Sequence, residues 1–138
     1  DIMMLEGGYY EGYPDGANEQ LYRALGDAVK RGVEVNIILD QAGHNPSQSM
    51  RNLQLGEHLR DKYGVNVYYD PPEVTTHTKT LLIDSVIAVI GSTNWSYHAL
   101  DKNNECSVMI KSKELALFYE NVYEELLKES TEEMTVLE

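Results

Sequence analysis

The chain has 138 residues, 42% hydrophobic and 25% charged, with 11 Lys plus Arg against 23 Asp plus Glu and a formal net charge of −12. That composition excludes wholesale disorder, and the single cysteine, Cys106, excludes an intrachain disulfide framework. No stretch approaches the roughly 18 uninterrupted apolar residues of a membrane span. The acidic balance disfavours non-specific attachment to a phosphate backbone.

In chain order, Ile2 to Glu6 reads as a strand, followed by a Gly- and Pro-rich loop, 7–16, that holds Tyr9, Tyr10 and Tyr13. Leu21, Leu25, Ala28 and Val29 fall at helical spacing, which predicts a helix over Asn18–Lys30 with Asn18 as N-cap and Gly32 as stop. Val33–Leu39 is a strand, alternating at first and then continuously apolar. After a polar loop, an amphipathic helix is predicted from Ser47 to Tyr63, stopped by Gly64. Val65–Tyr69 is the next strand, ended by Pro71-Pro72. Thr76–Ile83 and Val86–Ile90 read as two strands joined at Asp84-Ser85, and Cys106–Ile110 as a further one. The last helix spans Lys113–Lys128 with Leu115, Phe118, Tyr119, Val122 and Leu126 on one face, and residues 129–138 read as a frayed acidic tail. Helices alternating with strands in the first half predict an α/β domain over residues 1–128 with a mixed sheet.

The segment that carries chemistry is His77-Thr78-Lys79-Thr80-Leu81-Leu82-Ile83-Asp84, then six residues, then Gly91-Ser92-Thr93-Asn94, with Glu105 shortly after. On a strand, residues two apart share a face, so His77 and Lys79 are expected to project side by side. A cation beside a histidine is unfavourable unless an anion belongs between them, which suggests a phosphate or carboxylate site. Ser92 and Asn94 add neutral donors, also two apart. Together these groups offer a nucleophile or base, one fixed positive charge and hydrogen bonds to phosphoryl oxygens, and Glu105 can hold an imidazole in one tautomer. Taken singly, each residue has an ordinary reading: a surface histidine, a solvated lysine, a turn with Asn94 capping a short helix.

Together, His77 to Asn94 match H-x-K-x4-D-x6-G-S-x-N, and the chain thereby resembles the phospholipase D superfamily. The downstream Glu105 fits as well, and residues 24–40 are similar to the helix and strand that precede the motif in the family. The Gly-Ser-x-Asn-Trp-Ser run, Gly91 to Ser96, looks most like the small single-motif nucleases of the superfamily. The resemblance implies the superfamily's α/β fold, a mixed sheet sandwiched by helices. It further implies a metal-independent, cofactor-free phosphodiesterase in which one histidine forms a phosphohistidine and a second motif's histidine protonates the leaving oxygen and then activates water. In that scheme His77 is the nucleophile, Lys79 and Asn94 hold the phosphate with Ser92 assisting, Glu105 orients His77, and Asp84 and Gly91 are structural. His44, His58 and His98 lack a Lys two residues on and an Asp seven residues on. One motif where two are needed implies a homodimer, each chain supplying His77.

Family domains begin with a further strand and helix, whereas this sequence starts, at Asp1, with the equivalent of their second strand. A piece of a longer protein with another motif upstream is therefore the alternative to a homodimer. The rival activities are a phospholipase D or phosphatidyltransferase acting on phospholipid head groups, and a non-catalytic nucleic-acid-binding module of the same fold. The three loop tyrosines suit base stacking or a lipid interface, or else simple coverage of local apolar surface. His44 is expected to be solvated, Trp95 to pack beneath the site and Cys106 to be buried. A zinc site from His44, His77, His98 and Cys106 lacks ligand spacing. Charge does not forbid a phosphodiester substrate, because it sits at the chain ends. Residues 1–20 carry five acidic groups and no Lys or Arg, residues 111–138 carry eight Glu against three Lys, and the segment between is close to neutral.

Overall fold

The computed structural model describes residues 2–6, 16–41 and 43–135; Tyr9, Tyr10 and Tyr13 lie outside them. The elements are β1 (Ile2–Glu6), α1 (Ala17–Lys30), β2 (Val35–Leu39), α2 (Pro46–Tyr63), β3 (Asn66–Tyr69), β4 (Lys79–Ile83), β5 (Ile87–Gly91), α3 (Tyr97–Asp101), β6 (Ser107–Lys111) and α4 (Lys113–Glu129). The strands form one mixed sheet in the order β3-β2-β1-β4-β5-β6. β1, β2 and β3 run parallel, while β4, β5 and β6 join by antiparallel pairing.

β2 explains the two-layer cover. Ile37 and Leu39 belong to the main core, with Tyr22, Leu25 and Ala28 of α1 and Leu55, Leu59 and Tyr63 of α2. Ile38, between them, faces the other way and packs with Tyr123, Leu126 and Leu127 of α4. Both faces are buried, so the strand reads as a continuous apolar run. The expected sheet sandwiched by helices is the observed architecture.

Local boundaries follow local chemistry. α2 starts one residue earlier than its periodicity predicts, because Asn45 caps it by accepting a hydrogen bond from Gln48 N, with Pro46 in the first turn. It ends at Gly64, at φ 70°. α1 is capped by Gly16 rather than Asn18, which is instead buried within the first turn. β4 and β5 are joined through Asp84 and Ser85, both at positive φ.

Two expectations at the C-terminus are corrected. In α4, Ala116 and Tyr123 are the buried residues, whereas Phe118 is 61% and Val122 43% exposed. The helix offers two apolar stripes, and the one containing the small Ala116 lets it lie closer to the sheet. The segment after α4 is not frayed through Thr135. Thr131 bridges to Tyr69, Met134 is buried in the main core, and Thr135 N donates to Gln41 Oε1 at 2.8 Å. Arg60 also donates to the Glu132 carbonyl.

Gly91 ends β5 where β6 approaches most closely. A Cβ there would lie 2.5 Å from Ser107 Cα and overlap Ser107 Oγ and the Cys106 carbonyl. Gly91→Ala is therefore expected to cost about 1–3 kcal/mol through overpacking, read as a lower denaturation midpoint with an unchanged m-value.

α1 and α2 are clamped by Glu19, a carboxylate only 1% exposed. Lys62 Nζ donates to its Oε1 at 2.6 Å, the Tyr63 hydroxyl donates to the same oxygen, and His58 Nε2 lies 3.0 Å from Oε2. Burial alone would raise the Glu19 pKa, but the bonds from Lys62, Tyr63 and His58 outweigh it and hold the group below its ordinary value. Its stabilising contribution is thus complete above the unfolded-state pKa and is lost as pH falls through the lowered folded value. Glu19→Ala is expected to cost about 3 kcal/mol at neutral pH, with the gap to the unsubstituted protein narrowing in denaturation curves below about pH 4.

Candidate active site

Antiparallel insertion of β4 beside β1 sets the site. Lys79 at the start of β4 pairs with Glu6 at the end of β1. Gly91 at the end of β5 pairs with Ser107 at the start of β6. The carboxyl ends of β1, β2, β3 and β5 and the amino ends of β4 and β6 therefore meet along one edge of the sheet. Ligands of open α/β sheets bind at such an edge, and every motif residue except Asp84 lies there. Asp84 is at the opposite end of β4, in the turn to β5.

At this edge a cavity of about 360 Å3 is lined by Asp40, His44, Gln48, Thr75, Thr76, His77 and Asn94. His77 is exposed at its mouth. Asn94 is half-buried, and its Oδ1 is buried without a hydrogen-bond partner. α3 takes its cap from Ser96, which accepts from Ala99 N at 3.3 Å. Asn94 is thus not occupied in capping. Trp95 packs against the main core, and the Tyr22 hydroxyl donates to its carbonyl.

His77 and Lys79 do not stand side by side on a strand, as the two-residue spacing suggests. Among the described residues the ladder begins at Lys79, and upstream of it the Thr76 amide is claimed by side chains. Thr76 N donates to Asp40 Oδ1 and to Asp70 Oδ2, both at 3.1 Å. Lys79 instead reaches His77 through the main chain, its Nζ donating to the His77 carbonyl at 2.6 Å. Its side chain lines an adjacent, more apolar cavity of about 310 Å3, with Leu21, Leu81, Val89, Trp95 and Leu100 among the walls.

Glu105 is spoken for. Ser92 Oγ donates to its Oε2 at 2.5 Å and Asn103 Nδ2 to its Oε1 at 3.0 Å. Ser92 Oγ also accepts from Cys106 N at 3.2 Å, and Ser92 N donates to the Cys106 carbonyl at 3.0 Å. This clasp sews the loop after β5 to the segment before β6. The Ser92 hydroxyl, then the Asn103 amide, hold the Glu105 carboxyl below its usual pKa, with the positive charge of Lys79 contributing. Among the described residues, the hydrogen bonds of Glu105 do not reach the His77 ring. Cys106 is exposed rather than buried, and lies just before β6, an edge strand whose residues are all exposed.

Sequence reasoning passed over Asp40, Gln41, Gln48 and Asp70, and gave His44, exposed as expected, no place at the cavity it lines. The available signal was an Asp directly following each of two apolar strands, Leu39-Asp40 and Tyr69-Asp70. Burial pushes the Asp70 carboxyl up to about 6, and the neighbouring Asp40 adds to the rise while accepted hydrogen bonds oppose it. No group of three or more His, Cys, Asp or Glu suited to hold a metal ion occurs among the described residues.

With this geometry in place, comparison with known proteins is direct. A family model described as "Cardiolipin synthase, PLD-like domain" matches residues 8–127. The chain is 26% identical over 113 residues to a mitochondrial cardiolipin hydrolase of Canis lupus familiaris, covering 82% of this chain and 42% of that protein. It is 33% identical over 96 residues to a phospholipase D of Rickettsia bellii, covering 70% of this chain and 45% of that protein. The chain thus spans less than half the length of these relatives. Its fold is similar to that of a phospholipase D family member, Nuc, from Salmonella typhimurium, with a TM-score of 0.78 at 22% identity, covering 97% of this chain and 82% of that one. The ordered motif, the sheet edge that gathers it and these matches together make the chain a member of the phospholipase D superfamily.

Proposed function

We propose that this chain is the catalytic unit of a metal-independent phosphodiesterase, of the nuclease type, that works through a phosphohistidine. The observation that carries the reading is the intact motif, with His77 and Asn94 on one cavity and Lys79 tied to the His77 carbonyl. In the first step a ring nitrogen of His77 forms a bond to phosphorus as the bond from phosphorus to the leaving oxygen breaks. A second acid delivers a proton to that oxygen. Water, its proton taken by the base that this acid has become, then attacks phosphorus, the P–N bond breaks, and His77 is regenerated. Splitting one hard displacement into two is the gain from such a nucleophile. Lys79 and Asn94 supply the positive charge and the N–H donors that the phosphoryl oxygens need, while Ser92 and Glu105 hold the loop that carries Asn94.

The second histidine is assigned to a second copy of the chain. β6 supports this, because it starts at the site edge and leaves Val108 51% and Met109 73% exposed on an unpaired sheet edge. Phe118 of α4, just beyond it in the chain, is 61% exposed. Light scattering is expected to show a dimer, and Met109→Glu is expected to shift it toward monomer with loss of turnover. An active monomer would overturn the composite site.

A lipid head-group phosphodiester is the second reading, favoured by the relatives that carry cardiolipin in their names. Single- and double-stranded nucleic acid and phospholipid vesicles, each assayed with EDTA present, separate the two. His77→Asn is expected to lower turnover of bis(p-nitrophenyl) phosphate by at least 10³-fold. Full activity in that variant rules out the phosphohistidine.

A further inference from the structure

We infer that Asp40 and Asp70 are positioning residues for His77, acting through the main chain of Thr76. The inference rests on reading His77 as the nucleophile. Among the described residues, the ladder begins at Lys79 and no strand pairing includes His77. Its main chain is nevertheless fixed on both sides. On one side the Thr76 N–H is shared between Asp40 Oδ1 and Asp70 Oδ2, each at 3.1 Å. On the other, Lys79 Nζ donates to the His77 carbonyl.

The two carboxylates come from different strand ends and are 1% and 0% exposed. Neither is paired with a Lys or Arg among the described residues. Two buried acids side by side without a cation are costly, and a fold that needed only to satisfy one amide would need only one acceptor. Two acceptors on one N–H restrain the Thr75–Thr76 peptide plane from both sides, one residue before the plane through which the chain enters His77. Asp70 is itself held by Gln41, whose N donates to Asp70 Oδ1 at 2.7 Å and whose side-chain amide donates to the Asp70 carbonyl. Asp40 also lines the cavity that His77 borders.

A nucleophile must be aligned to within a fraction of an ångström, and displacement by about 1 Å costs on the order of 10²-fold in rate. Both Asp70 oxygens accept main-chain N–H groups, so Asn there can keep only one of the two bonds, whereas at Asp40 the single acceptor is removed by Ala. Asp40→Ala and Asp70→Asn, assayed separately on bis(p-nitrophenyl) phosphate, are each expected to lower kcat about 10- to 100-fold. KM should stay within threefold, and accumulation of the phosphohistidine adduct should slow in step with kcat. Near-ultraviolet circular dichroism and thermal unfolding give the folded fraction at the assay temperature. A fall in kcat of less than threefold, a loss that only tracks the unfolded fraction, or a rise in KM with kcat unchanged overturns the inference. If Asp70→Asn does not fold, Asp40→Ala carries the test by itself, since it removes one of two acceptors. His77→Asn is run alongside. Full activity there defeats the reading of His77, whereas its loss beside unaffected Asp variants defeats only the positioning.

Discussion

The site exists because β4 enters the sheet antiparallel to β1. Three parallel strands deliver their carboxyl ends to one edge, and the reversal at β4 brings a strand's beginning to the same edge. The motif can then be short in sequence and still converge. β4 leaves the edge, the turn at Asp84 and Ser85 returns the chain, and β5 arrives back at the edge with Gly91. Absence of a side chain at Gly91 lets β6 lie close, and the Ser92–Glu105 clasp holds the two loop ends together. Of the motif residues, Asp84 alone is remote, placed in the turn that returns the chain.

Much of this was legible because it is local. Helix stops at glycine, apolar periodicity and the spacing of the motif all depend on residues within a few turns of one another, and the main elements fell within a few residues of where those signals put them. What was not legible depends on partners far away in sequence. Asp40 and Asp70 lie 30 residues apart, and only the pairing of β2 with β3 makes them neighbours. Placing His77 on a strand missed side chains from two other strand ends that take the Thr76 amide just before it. In α4, two apolar stripes compete, and the close approach allowed by Ala116 decides between them. The tail read as frayed, yet Thr131 pairs with Tyr69 of β3, Thr135 bonds Gln41 just after β2, and Met134 fills the core.

Charge has a more local meaning than the total of −12 suggests. Negative groups are concentrated at the two ends of the sequence, and several of those near the site are consumed by specific bonds. Glu19 answers Lys62, Tyr63 and His58, and Glu105 answers Ser92 and Asn103. The buried pair Asp40 and Asp70 answers main-chain amides. Charge of both signs therefore stands at this edge: Asp40 lines the cavity beside His77 and Asn94, and Lys79 lines the neighbouring one.

Cys106 gives the molecule a practical property. It is the chain's one thiol, exposed, and next to Glu105. Its main chain is anchored on both sides by Ser92, through Ser92 N to its carbonyl and its own N to Ser92 Oγ. A fluorophore or spin label coupled to it attaches at a single place, on a rigid stem beside the loop that carries Asn94, without any change to the sequence. In an assembly of two copies, the distance between two such labels measures how far apart the paired edges lie.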